Sequence, residues 1–383
     1  MHKIVRSRLS IFLFAGAFLL TQNASAGLKP SPRGIYDLLP GALGNGTIDL
    51  TDNPLLDNPN VDGFRYRTAW SKIQPNSADE YLWDSIDAAI AIAAAHGKKL
   101  CISISAGFFT PDWVYSTPPL VFKYAMLEKD RDTGESLGNQ PLPWDTAYQA
   151  KWLHFLQAFG ARYESNPACS YVVMGGFMQV FNMVMTATSE DTAAMEAIAQ
   201  NPPADYPGLT TSYLDFASAY IPAAEKIISD YKTNFPTTPL LLTLLRVIPG
   251  DTTIQNTIVD WAKETYPDQF GTMVSALYAV PPPHNPPPPP LSFPKGFQMV
   301  CVTKDVSRLY TDPDPAPLPV APVPLEDALE HAVTLGGQYV EVYPGDLVAP
   351  EHQAVLAQER AKLIANVGEE AAPMAPINLH ITP

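Results

Sequence analysis

Acid–base or nucleophilic chemistry needs carboxylates held in unlike surroundings, and few carboxylates in this chain sit where a strand would fix them. Glu341 is one. It stands inside QYVEVYPGD between Val340 and Val342, which point to the other side of an extended segment. In GFRYRTA, Arg65 and Arg67 alternate and so share one face of their own strand. A carboxylate beside a guanidinium stays ionised at neutral pH, so Glu341 held by Arg65 or Arg67 would be a nucleophile or an electrostatic stabiliser. It would not be a general acid. The acid would then come from a loop, with Glu190 and Asp305 the candidates. The same three residues read equally well as an internal ion pair that fixes geometry. Asp112, in TPDW, and Asp251 have local explanations, as a turn former and a helix cap.

Other chemistries lack their residues. The seven histidines form no i, i+4 pair and adjoin no Cys or Asp cluster, so no metal set is expected. There is no Gly-rich phosphate loop and no G-x-S-x-G elbow, and no cofactor is implied. Formal charge is −15 without a basic tract, which argues against nucleic acid and anionic membrane surfaces as partners. Cys101, Cys169 and Cys301 are too few for a disulfide framework. Either Cys101 and Cys169 form one bridge, or all three are buried thiols.

The elements that position these residues alternate. Val61 to Arg67 reads as a strand. Ile86, Ala89, Ile90 and Ala93 mark the helix that follows, opened at Asp84-Ser85 and closed by Gly97, and Leu100 to Ser105 is the next strand. Further strands are expected at 34–37, 171–177, 240–248, 272–280, 297–303 and 339–343. Helices are expected at 146–163 (capped by Asp145), 213–231 (with Pro222 inside), 253–266, 325–335 and 351–365. Eight strands in this order give an α/β fold, a single (β/α)8 barrel within residues 27–383. The stretch after the fourth strand, to about Thr211, reads as a loop. Helix six is missing. VPPPHNPPPPPLSFPKG stands in its place, and polyproline rising ~3.1 Å per residue spans ~37 Å in about a dozen residues. Residues 1–26, with a basic start, an apolar run from Ile11 to Leu20 and Ala24-Ser25-Ala26, read as a signal peptide. The expected destination is secreted or periplasmic, with no later membrane span.

GFRYRTAWSKIQP, SIDAAIAIAAAHGKKLCISIS and TPDW resemble the second and third βα units of the (β/α)8 glycoside hydrolases, in particular the retaining clan of β-galactosidases and cellulases. The resemblance implies carbohydrate as partner, oligo- or polysaccharide. In that clan an Arg ends strand two, a Glu after an Asn ends strand four, and a second Glu ends strand seven. Retaining hydrolysis needs the two carboxylates about 5–5.5 Å apart. Here Gln179 and Val180 fall where Asn and Glu belong, and FQMVCVTKD offers Gln298 and Asp305 but no Glu. The usual pair is not carried over. Two readings follow: a glycosidase with a displaced pair drawn from Glu341, Glu190 and Asp305, or a silent barrel that binds glycan or serves as a scaffold. In either, Arg65, Arg67, Asp112, Trp113, Gln179, Asn182, Gln298 and Tyr343 are the expected substrate contacts. The aromatic excursion at 107–145, with Phe108, Phe109, Trp113, Tyr115 and Trp144, would supply flat rings for sugar faces or fold over its own core.

Overall fold

Strands β1 (Gly34–Asp37), β2 (Gly63–Ala69) and β3 (Lys99–Ser105) pair in parallel, each with the next. The sheet continues through β6 (Cys169–Val173), β7 (Leu240–Leu244), β8 (Phe270–Leu277) and β9 (Lys295–Met299) to β10 (Tyr339–Val342). There it returns to β1 and closes as an eight-stranded barrel. Between β3 and β6 a small antiparallel hairpin, β4 (Lys123–Ala125) and β5 (Asn139–Pro141), stands apart. The computed structural model describes residues 27–39, 48–129, 134–178, 188–244, 252–279, 292–304 and 324–366. The fold is a single (β/α)8 barrel.

Alternation along the strands divides two cores. Outward residues such as Ile35, Phe64, Ile102, Val172 and Phe297 pack under the helices. Inward residues fill the barrel: Tyr36, Cys101, Tyr171, Val173, Leu241, Met273 and Tyr339 form their own buried cluster. Three of these are tyrosines: Tyr36 packs edge to face on Tyr171 and Tyr339, with ring centroids 5.2 and 5.9 Å apart, and Tyr171 and Tyr339 meet at a tilt, 5.2 Å apart. Rings of this size fit because facing positions have no side chain. A Cβ on Gly296 would lie 2.0 Å from the Tyr339 ring. We expect Gly296→Ala to cost about 1–3 kcal/mol by overpacking, read as a lower urea midpoint at unchanged m-value. A midpoint equal to the parent's would show that the tyrosine layer yields freely.

The helices are α1 (Trp70–Ile73), α2 (Asp84–Ala95), α3 (Asp112–Ser116), α4 (Thr146–Tyr163), α5 (Ser189–Gln200) and α6 (Phe216–Asn234). They continue with α7 (Thr253–Thr265), α8 (Pro324–Thr334), α9 (Pro344–Leu347) and α10 (Gln353–Ala365). In α2, Ile86, Ala89, Ile90 and Ala93 are the buried face, and Gly97 takes φ +68° just past its end. Asp145 caps α4, accepting from the amides of Ala147 (2.9 Å) and Tyr148 (3.3 Å), and also takes the Phe122 amide at 2.9 Å. One carboxylate thus ties the aromatic excursion to the helix behind it.

One expectation is corrected. The stretch after β6 is not all loop, since α5 occupies 189–200, capped by Thr188. The β1–β2 connection carries no α-helix among its described residues, only a 3-10 turn at Pro54–Leu56. Its Asn53 caps that turn and Pro54 opens it, which stops after three residues. Cys101 and Cys169 are free thiols. They start neighbouring strands, but Cys101 belongs to the interior cluster and Cys169 to the outer core, so the sheet separates their sulfurs. Most of the Pro tract, at 280–291, and residues 1–26 lie outside the described residues.

Candidate functional site: a charge pair sealed in the barrel

The inward face of β2 carries Arg65 and that of β10 carries Glu341, with β1 between them. Arg65 Nη1 donates to both carboxylate oxygens, at 2.6 and 2.8 Å, and the Tyr171 hydroxyl donates to Oε1 at 3.1 Å. Arg65 Nη2 donates to Ser103 Oγ on β3 at 3.3 Å, and Nη1 lies 3.6 Å from the Met273 sulfur on β8. Glu341 is 0% and Arg65 2% exposed. Burial alone would lower the Arg65 pKa, and the carboxylate beside it outweighs that and holds it above the ordinary value. Burial raises Tyr171 well above its ordinary range, so it stays a neutral donor. The carboxylate is fully engaged by Arg65 and Tyr171 and has no face open to a substrate atom, while Arg65 Nε is buried without a partner among the described residues. Chemically it can fix geometry. It has no room to attack an anomeric carbon.

Arg67, one pleat nearer the C-terminal end of the strands, behaves differently. It is half-buried, and its Nη2 donates to the Leu39 carbonyl at 3.3 Å. Its Nε is buried without a partner. Burial lowers its pKa, and Arg65 adds to this. Among the described residues no carboxylate pairs with it.

The remaining sequence candidates are scattered. Glu190 is exposed in the first turn of α5, on the outer layer, and nothing joins it to Glu341. Asp112 is exposed at the start of α3, 3.7 Å from Lys123 Nζ. Trp113 is 7% exposed, packs edge-on against Trp70 and donates from Nε1 to the Gln74 carbonyl at 2.8 Å. It borders a groove of about 370 Å³ shared with Pro118, Lys151 and His154. Trp144 packs against Phe216. The excursion's aromatics are thus largely spent on their own core. Gln298 is half-buried on β9, in register with Glu341, and Tyr343 is half-buried just after β10. Gln179, Asn182 and Asp305, together with Val180 and Asp251, lie outside the described residues.

One acid escaped the sequence reading. Asp37 ends β1, is 0% exposed, and neither carboxylate oxygen has a hydrogen-bond partner among the described residues. Burial pushes its pKa up to about 7. Its strand parity, opposite to that of Tyr36, turns it away from the barrel interior. It lies on a cavity of about 410 Å³.

No family model matches this sequence, and no curated protein does. Among solved structures, the catalytic domain of β-amylase from Paenibacillus polymyxa superposes with a TM-score of 0.52 at 8% identity, covering 88% of this chain and 98% of that one. Xylanase B from Clostridium stercorarium F9 gives 0.42 at 11% identity over 81% and 85%. The β-galactosidase of the psychrophilic Marinomonas ef1 gives 0.35 at 12% identity, and the chain spans 37% of that protein's length and 57% of its own. The chain therefore resembles the glycoside hydrolases in fold, an eight-stranded parallel barrel with helices outside.

Proposed function

We propose that this chain is a carbohydrate-binding barrel that does not hydrolyse glycosidic bonds by the usual carboxylate pair. The observation that carries this reading is the sealed state of Glu341. The one carboxylate that β10 turns into the barrel is consumed by Arg65 and Tyr171. A retaining site needs a second carboxylate about 5–5.5 Å from the first across an open cleft. The two places where the resembling clan keeps its acids hold Val180 and, in strand seven, no Glu. Support for carbohydrate comes from the sequence resemblance over residues 63–113. Arg67, unneutralised by any described carboxylate, is the best-placed donor for a ligand's oxygens, with Tyr343 near it, Gln298 on β9, and Gln179 and Asn182 following β6 in the sequence.

A polysaccharide panel tests both halves of the proposal. The purified chain should retain one or more polysaccharides and release no reducing ends, and Arg67→Met should weaken retention about tenfold at unchanged melting temperature. Steady release of reducing ends that survives Glu341→Gln would replace the reading with a hydrolase whose acids lie elsewhere. Retention of no polysaccharide would leave a scaffold. We also propose export: mass spectrometry of the mature protein should find its N-terminus near Gly27, and a start at Met1 would refute this.

A further inference from the structure

The Asp37 cavity lies outside the barrel interior and owes nothing to the carbohydrate reading. It opens between the β1–β2 connection, at Ile48 to Leu55, and the segment after β10, at Pro344 and Val348. Most of its wall is apolar: Leu39, Ile48, Pro54, Leu55, Pro344 and Val348. The polar groups at the rim are already engaged. Asp49 Oδ1 accepts from the Thr51 amide at 2.8 Å, and Asn53 Oδ1 from the Leu55 amide at 2.9 Å. Among the described residues no Lys, Arg or His lines the cavity. What is left over is a carboxylate with two idle oxygens, buried where any ligand reaching it would be stripped of water.

A buried acceptor without a donor is costly, and in native proteins such a group calls for an explanation. A ligand that matches this cavity needs one strong donor at the tip and an apolar body behind it. A neutral polyol fits poorly, because its other hydroxyls would face apolar walls without partners. An ammonium fits on three counts. Its N–H groups make charge-assisted bonds to a carboxylate. Its charge compensates the ionised acid. The exposed Asp49, whose own pKa is lowered chiefly by the Thr51 amide, adds negative potential at the entrance. The volume lies in the range of small-molecule sites. We infer that the cavity between the β1–β2 connection and α9 binds a small organic cation, an amine with a compact apolar body, whose nitrogen pairs with Asp37.

The test uses the full chain and two probes with the same ring, cyclohexylammonium and cyclohexanol, titrated calorimetrically at pH 8. The ammonium should bind at least about tenfold more tightly than the alcohol. Asp37→Asn should abolish that preference. Asp49→Asn should leave the ammonium's affinity within about threefold, since Asp49 only supplies long-range potential. Val348→Phe replaces a half-exposed residue at the cavity wall and should weaken both probes, which keeps the test valid if Asp37→Asn does not fold. Equal binding of the two probes, ammonium binding that persists in Asp37→Asn, or no binding of either probe would each overturn the inference. Polysaccharide retention measured on the same variants should be unchanged by Asp37→Asn, so failure here is separable from failure of the carbohydrate reading.

Discussion

Glu341→Gln should lower the stability of the folded chain by about 3–5 kcal/mol, the expected cost of leaving one member of a buried ion pair uncompensated. The variant keeps the volume of the side chain, so no cavity is made. It removes the negative charge that holds Arg65, whose guanidinium is 2% exposed and has no water to turn to. The Gln oxygen can still accept from Arg65 or from Tyr171, but its NH2 group would confront one of those same donors. Denaturant unfolding of parent and variant at neutral pH checks the magnitude. The double variant Arg65→Met, Glu341→Gln should recover most of the loss, because pairs replaced together by apolar or neutral groups are often near neutral. A single variant as stable as the parent would mean that the charge does not matter. A double variant worse than the sum of the singles would mean that the pair contributes through packing.

Asp37→Asn carries the second large effect, and its sign depends on pH. The folded pKa of Asp37 is about 7, raised from the ordinary 3.8 by burial. Between those values the folded state holds a proton that the unfolded state has lost, so this group's contribution falls as pH rises through the window and levels off above it. Three units at 1.36 kcal/mol each is about 4 kcal/mol, an upper figure for a desolvated carboxyl. Asn has no such slope. Relative to the parent, Asp37→Asn should therefore gain stability steadily from about pH 4 to about pH 7 and hold that gain at pH 8. Unfolding curves for both proteins at pH 4.5, 6 and 8 measure the difference directly. Asn brings its own unpaired amide, which shifts all three points together and leaves the slope readable. A difference that stays flat across the three would show that Asp37 ionises freely, with water or a donor at its side.

The two acids also show what the sequence discloses and what it withholds. Arg65, Arg67 and Glu341 were legible because side-chain alternation in a strand is strict, so parity alone turns all three inward. Their convergence needed only the order of strands, which the βα repeat supplies. That Arg65 rather than Arg67 makes the pair depends on register: Glu341 is level with Tyr36 on β1, and Tyr36 with Gly63 on β2, which puts Arg65 the nearer. In the sequence Asp37 is only the last residue of the strand expected at 34–37. Its isolation is created by residues far along the chain, since Pro344 and Val348 close the cavity from the β10 side, and no local pattern announces that. Helix α5 is a different case. Its signal was present, with Thr188 as cap and Asp191, Met195 and Ala199 buried at i, i+4 and i+8. An alanine and a carboxylate in that stripe made it weak. The carboxylate is buried because it takes the Tyr124 hydroxyl and the amides of Leu127 and Glu128, partners that only the folded hairpin brings near. The candidates Asp112 and Trp113 followed from loop length and composition, which place residues near the strand ends without saying which way they face.

The Arg65–Glu341 pair joins residues 276 positions apart, almost the whole barrel. A ribosome delivers the guanidinium early and its counter-ion 276 residues later. Until β10 arrives, closing the interior around Arg65 would trap a bare charge, and β1 would lack one of its two edge partners. Contacts of such sequence separation are the slowest to form. A nascent chain that stops before residue 339 holds seven of the eight strands and neither the neutralising carboxylate nor the seam it would seal. Closing the barrel with its internal pair in place therefore requires the chain through β10.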